Sequence, residues 1–201
     1  MARKSLSKSA LLHETRQLKI YRRYLPSLEL KRLQLIAERA KARGQLAETH
    51  KAQEELRAYV GRELPMLSNH DVDLPKLVRL EGVALEEQNL LGTLLPVVGE
   101  VKITRRPYSF LVRPPWVDTL ADKMAEMITL KVTERIQQIR LERLEAAVQK
   151  ITQRVNLFDK VLIPRTEARI REIRIHLGDA ERAAVVRAKI AKKRRFNVAE
   201  T

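Results

Sequence analysis

Apolar residues recur along the first quarter of the chain at a spacing close to 3.5. From Leu11 the series runs Leu11, Glu14, Leu18, Tyr21, Leu25, Leu28, Arg32, Leu35, Arg39, Ala42, Leu46 and Thr49, and eight of these twelve positions are apolar. Such a stripe is what one helix of a coiled coil lays against a partner. Pro26 interrupts the segment, but Leu25, Leu28 and Leu35 keep phase across it, so a local kink in one helix is expected over residues 10–60. Leu33, Ile36, Ala40 and Ala47 form a competing stripe after Leu35.

The pattern returns after residue 115. Asp118 follows Pro114 and Pro115 as an N-terminal cap or first-turn carboxylate, and Trp116 is expected as a core or hinge anchor. The seam then runs Leu141, Leu144, Val148, Ile151, Val155, Phe158 and Leu162. Beyond this it slips by one residue, to Ile163, Ile170, Ile173, Leu177, Ala180 and Ala184, and the slip falls at Pro164. A straight helix drifts about 20° per heptad against a strict seven-residue repeat, so one extra residue resets the buried stripe while the helix continues. A proline inside a helix deletes a hydrogen bond and crowds the preceding turn, which makes Pro164 a candidate bend. Eighty helical residues extend about 120 Å.

Residues 61–115 are different. Gly61, Gly82, Gly92 and Gly99, with Gly44 just before, and Pro65, Pro75, Pro96, Pro107, Pro114 and Pro115 gather here. "LPMLSNHDVDLPKL" predicts a loop with short helical turns, and "PVVGEVKITRRPYSFLVRPP" predicts a small β-hairpin. The expected fold is mainly α: a long antiparallel two-helix coiled-coil hairpin with a small middle insert containing a short β-hairpin. Its parts are an N-terminal helix over 1–60, the insert over 61–115, a C-terminal helix over 116–195 and a tail over 196–201.

Composition sharpens this picture. Aromatics are 4% of the chain and charged residues 32%, which argues against one thick globular core and for long helices. The net charge of +15 implies an anionic partner, whether nucleic acid, lipid surface or acidic protein cavity. With no cysteine there is no disulfide, thiol nucleophile or thiolate metal site, and no apolar run approaches the roughly 20 residues needed to span a bilayer. The basic, Ser-rich start has no apolar block before Glu14 and does not match a secretory signal.

Chemistry-bearing patterns are sparse. There is no GxxxxGK[ST], GxGxxG or HExxH. His70 with Asp71 and Asp73 is the best metal-like cluster, and a solvated turn explains it as well. Glu86 and Glu87 are adjacent, so on a helix they diverge and cannot share a proton. No catalytic residue, cofactor or metal is expected. Lys189, Lys192, Lys193, Arg194 and Arg195 suit a helix C-terminus, where cations meet the macrodipole, or docking to an anionic surface. Arg105 and Arg106 beside Tyr108 and Phe110 would also suit nucleic acid, although no RRM, KH, zinc-finger or leucine-zipper basic-region pattern is present. A basic coiled coil binding nucleic acid, or a structural adaptor, is therefore the alternative reading.

The segment Arg154, Val155, Asn156, then Ile163, Pro164 and Arg165, then Ile170, Ile173, Leu177, Glu181 and Arg182 with the basic tail, resembles the D subunit of the V-type and A-type rotary ATPases. "LLHETRQLKIYRRYLPSLELKR", ending in Lys31 and Arg32, resembles the opening of that family. Gly178, Ala183, Val186 and Pro26 depart from the family pattern. The resemblance implies the central shaft of a rotor, peripheral to the membrane on its cytoplasmic side, which couples ATP hydrolysis or synthesis to ion transport and hydrolyses nothing itself. It implies as partners a ring of catalytic and regulatory ATPase subunits, the F subunit and an adaptor on the membrane ring, with neither nucleotide nor nucleic acid bound. Lys31, Arg32, Glu181, Arg182, Arg187, Lys189 and Lys192 are the candidate ring-docking residues.

Overall fold

The computed structural model describes residues 6–68, 77–105 and 116–199. Helix α1 spans Lys8–Glu63, with a 3-10 turn at Pro65–Ser68. Strands β1 (Val78–Leu90) and β2 (Thr93–Arg105) form an antiparallel pair. Helix α2 (Trp116–Leu157) passes through a π-helical turn, Phe158–Leu162, into α3 (Ile163–Ala199). The fold is thus mainly α, with a long N-terminal and a long C-terminal helix and a two-stranded insert between them. The helices pack as two compact units, one of residues 1–31 with 151–201 and one of residues 32–150.

All twelve seam positions of α1 are buried or half-buried, whereas Leu33, Ala40 and Ala47 of the competing stripe are exposed. The helix starts at Ser7, whose hydroxyl accepts from the Ala10 N–H at 3.2 Å and so satisfies one orphan donor. It runs through Pro26, which sits on the exposed face, where the missing N–H faces water.

In the first unit α1 runs antiparallel to α3. Lys8 pairs with Glu181, Glu14 with Arg169 and Arg22 with Glu167, while the Tyr21 and Phe158 rings meet edge to face with centroids 5.5 Å apart. Ile151, Val155, Ile170 and Ile173 are buried, and Thr166 is buried with them, its hydroxyl donating to the Leu162 carbonyl at 2.7 Å. Ala180 and Ala184 are exposed, so the buried stripe stops at half-buried Leu177, short of the length expected from the sequence. Past that point small side chains offer too little area to hold a seam.

The one-residue slip has a different cause from the one expected. It is taken up by the π turn, where the Ile163 N–H bonds the Phe158 carbonyl five residues back. From Phe158 to buried Ile170 is twelve residues, one more than a heptad seam supplies, and one wide turn absorbs one extra residue. Pro164 follows directly on the exposed side. A proline is tolerated there because hydrogen bonding has already left the α pattern in the turn its ring covers.

In the second unit the hairpin begins earlier than expected. Its first strand is "VRLEGVALEEQNL", so Glu86 and Glu87 lie on β1 and not on a helix; the hairpin sought in residues 96–115 ends at Arg105, and residues 106–115 lie outside those described. The turn is Leu91–Gly92, with φ of 53° and 80°, and the Gly92 N–H donates to Asn89 Oδ1 at 2.9 Å. Two residues with positive φ make the tight turn whose twist matches the strands. Irregular pairing between Leu80 and Gly82 and between Val83 and Leu85 marks two bulges. At the second, a Cβ on Gly99 would stand 2.9 Å from the Ala84 carbonyl oxygen, so the strands approach this closely only because residue 99 has no side chain.

An isolated hairpin is marginal in water. This one is held at its base by a cluster of Leu64, Leu77, Val78, Val117, Leu120 and Ala121, with Trp116 packed against it as the expected anchor. Arg105 is ion-paired to Asp122. Towards the tip, Arg143 donates to the Leu94 carbonyl at 3.0 Å.

Removing the extra residue tests the account of the π turn. Deleting Lys160 together with Pro164→Ala aligns Val155, Phe158, Ile163, Thr166, Ile170 and Ile173 in one strict repeat, and a melting temperature at or above that of the parent is expected by circular dichroism. Deleting Gln153 instead moves Asn156 and Asp159 into the seam, and should cost about 3 kcal/mol, or roughly 10 °C in melting temperature.

Candidate functional site

The residues singled out from the sequence lie in the first unit, apart from Arg32, which begins the second. Val155 is buried and Ile163 half-buried, so both act in packing. Arg154, Asn156, Pro164 and Arg165 are exposed around the π turn. The R-V-N and I-P elements therefore bracket the widened turn: their apolar members fill the seam and their polar members face outward.

Further along α3 every residue from Glu181 to Lys193 is exposed. Glu181 lies 3.8 Å from Lys8, and Arg182 lies 3.4 Å from Asp179 one turn back. Both pairs are open to water, where such contacts contribute little. Arg187 turns back to donate to the Ala183 carbonyl at 3.2 Å. Lys189, Lys192 and Lys193 complete a cationic run along a helix stretch with no buried face. Lys31 and Arg32 are half-buried on α1, Arg32 within the seam series itself. An arginine tolerates that position because its stem packs while its head reaches water.

The second unit holds a polar layer that the seam count does not reveal. Thr49 and Gln53 are buried on α1 facing α2. The Thr49 hydroxyl donates to Gln137 Oε1 at 2.9 Å, and Gln53 Nε2 donates to Glu134 Oε2 at 2.8 Å. Gln138 donates to the other Glu134 oxygen at 3.2 Å, and His50 Nε2 stands 3.6 Å from it. The Gln53 hydrogen bond holds Glu134 below the ordinary 4.5; partial burial opposes this, and His50, Lys131 and Arg57 add to the lowering. Thr49 is legible in the sequence as a seam position that is not apolar. Gln53, one heptad step further, is the signal that sequence reasoning missed.

Polar partners bonded across the two helices in this way suit the fixing of register. Glu134 is a depressed, ionised carboxylate with its oxygens already bonded, the opposite of a poised general acid. Among the described residues no three His, Asp or Glu side chains gather to hold a metal. His70, Asp71 and Asp73 lie outside the described residues, as do Arg106, Tyr108 and Phe110. No described helix is long and apolar enough to cross a membrane.

Because Glu134 is held below its free value, its ionisation stabilises the fold above about pH 4.5, and that contribution is lost as pH falls through the folded pKa. The difference in melting temperature between the parent and Glu134→Gln should therefore stay constant from pH 7 to about pH 4.5 and narrow as pH falls below that. A gap that does not change with pH would show that the carboxylate is not held by Gln53 and its neighbours.

Comparison with known proteins matches this arrangement over nearly its whole length. A family profile for the D subunit of ATP synthase matches residues 10–193, which includes both long helices and the hairpin. A V-type ATP synthase D subunit of Borreliella burgdorferi is 31% identical over 192 residues, covering 96% of this chain and 95% of the relative. The protein of that name from Chlamydia abortus is 34% identical over 191 residues, covering 94% and 92%, and that of Chlamydia pneumoniae is 32% identical over 191 residues, covering 94% and 91%. Identity at that level over 94–96% of the chain, together with a family profile that matches residues 10–193, makes this chain a member of the ATP synthase D subunit family.

Proposed function

We propose that the chain is the central rotor shaft of a V-type rotary ATPase, a non-catalytic subunit that transmits torque between ATP turnover and ion transport. The observation that carries this reading is the full-length match to proteins named as the D subunit of V-type ATP synthase, joined to a seam of two antiparallel helices in each unit. Torque transmission needs stiffness. A single helix twists and bends easily, whereas two helices locked by an interdigitated stripe resist both.

The surface chemistry suits an axle. From Glu181 to Lys193 the last helix exposes mainly charge and small residues. A broad apolar contact would trap one orientation, but solvated cations slide past an acidic sleeve with small changes in energy. Glu181, Arg182, Arg187, Lys189 and Lys192 are proposed to meet the ring of catalytic and regulatory subunits, with Lys31 and Arg32 contributing from α1. Arg154, Asn156, Pro164 and Arg165 are proposed to present the bend of the shaft. The hairpin unit is proposed to face the F subunit and the adaptor on the membrane ring. In this role the protein binds neither nucleotide, cofactor nor nucleic acid, and it sits on the cytoplasmic side, peripheral to the membrane.

The chain has no cysteine, which makes a direct test simple. A single Cys at Ala183, joined by a disulfide to a Cys on the facing ring subunit, should stop nearly all ATP hydrolysis by the complex, and reduction should restore it. Full turnover with the cross-link complete would show that the chain does not rotate against the ring. Pro164→Ala should lower the number of ions moved per ATP. An unchanged ratio would demote the proline to a tolerated local feature.

A further inference from the structure

The hairpin does not lie flat on α2. Between β1 and α2 runs an open groove of about 640 Å³, lined by Leu80, Val83 and Leu85 from the strand and by Ile128, Val132 and Ile139 among others from the helix. Leu80 is 38% exposed and Leu85 61%. The lining is apolar except for two side chains, Lys131 and Arg135, on one flank of α2. Soluble proteins seldom leave a continuous apolar trough open to water unless something binds there.

We propose that this groove is the docking site for an amphipathic helix of an acidic partner subunit, one carrying two carboxylates about four residues apart beside its apolar stripe. The dimensions favour a helix. The floor runs from Met127 to Ile139, which at about 1.5 Å per residue is roughly 18 Å, or three helical turns. A partner strand is disfavoured, because the bulges beside Leu80 and Leu85 break the even ladder of donors and acceptors that strand addition requires.

Charge selects the partner. Lys131 makes no ion pair among the described residues, although its field reaches Glu134. Among the described residues the Arg135 guanidinium reaches only the Gln138 side-chain oxygen, at 3.5 Å. The two cations stand four residues apart on one helix face, so carboxylates at the same interval on a helix laid alongside would meet both. A second copy of this chain is excluded on the same ground. It carries a net charge of +15 and would bring cations to cations.

The proposal rests on the reading of the chain as one subunit of a larger assembly. Its test uses the complex released from membranes. Lys131→Glu/Arg135→Glu should weaken retention of one acidic subunit by roughly tenfold or more, seen by native mass spectrometry, with the helical content of the chain at the assay temperature unchanged by circular dichroism. A photo-cross-linker in place of Leu85 should map to a helix of that same subunit. Replacing the two mapped carboxylates with Lys should restore binding to the Glu double variant and weaken it to the parent. Full retention by the double variant would overturn the proposal. So would cross-links that land in a second copy, in lipid or within the chain itself. Failure of the shaft reading would look different: the parent complex would contain no ATPase ring, while the charge swap at the groove could still succeed.

Discussion

The structure depends on one constraint: neither long helix has a core of its own, so each must keep its narrow apolar stripe against the other without a break in phase. In a globular protein a mis-set side chain can be covered by a third element. Here the α1 seam positions from Leu11 to Thr49 are all buried or half-buried along one stripe. Any change in residue count on one side must be corrected at once, because each later residue would otherwise turn towards water. The π turn at Phe158–Leu162 is that correction. It costs regular hydrogen bonding over one turn and in return keeps Ile170 and Ile173 buried. Rigid pairing and a local irregularity are thus two results of the same requirement.

The seam changes chemistry between the units. Around the π turn it is aliphatic and aromatic, with Tyr21 meeting Phe158. In the second unit it turns polar at Thr49, Gln53 and Glu134. Apolar contacts are non-directional and would allow the helices to slide by a turn. A buried glutamine bonded to one particular carboxylate does not, because a slid register leaves both unsatisfied. Such a lock near the insert holds the two helices to one register. The cost is sensitivity to acid, which Glu134 concentrates in one place.

Much of this is readable from the residues because coiled-coil seams write themselves in a single period. All twelve counted positions of α1 are shielded, and the phase slip after Leu162 is visible as an arithmetic fact. Its cause is not. Proline is a conspicuous residue and invites the explanation, whereas a π turn has no residue signature and appears only as one surplus position. The first strand escapes a sequence reading for a related reason. "VRLEGVALEEQNL" has adjacent glutamates and a glycine, and its bulges destroy the alternation by which strands are recognised. The Leu91–Gly92 turn is hidden as well, since a leucine with positive φ gives no turn signal. The outward-facing surface residues fall on helices as expected, but exposure alone assigns them no partner.

The two bulges that hide the strand also explain why the hairpin remains open on one side. A regular two-stranded ribbon would alternate its side chains, and one face would close onto α2 along its whole length. Irregular pairing beside Leu80 and Leu85 instead re-aims apolar side chains while the base stays fixed by Leu77, Val78 and Leu120. Gly99 is what permits the second of these irregularities, since any larger residue would meet the Ala84 carbonyl. An insert pinned at its base and bonded again near its tip by Arg143 leaves an open groove at Leu80, Val83 and Leu85 between it and α2. In the seam the chain absorbs an irregularity to keep two helices together; in the hairpin two irregularities flank the open groove between strand and helix.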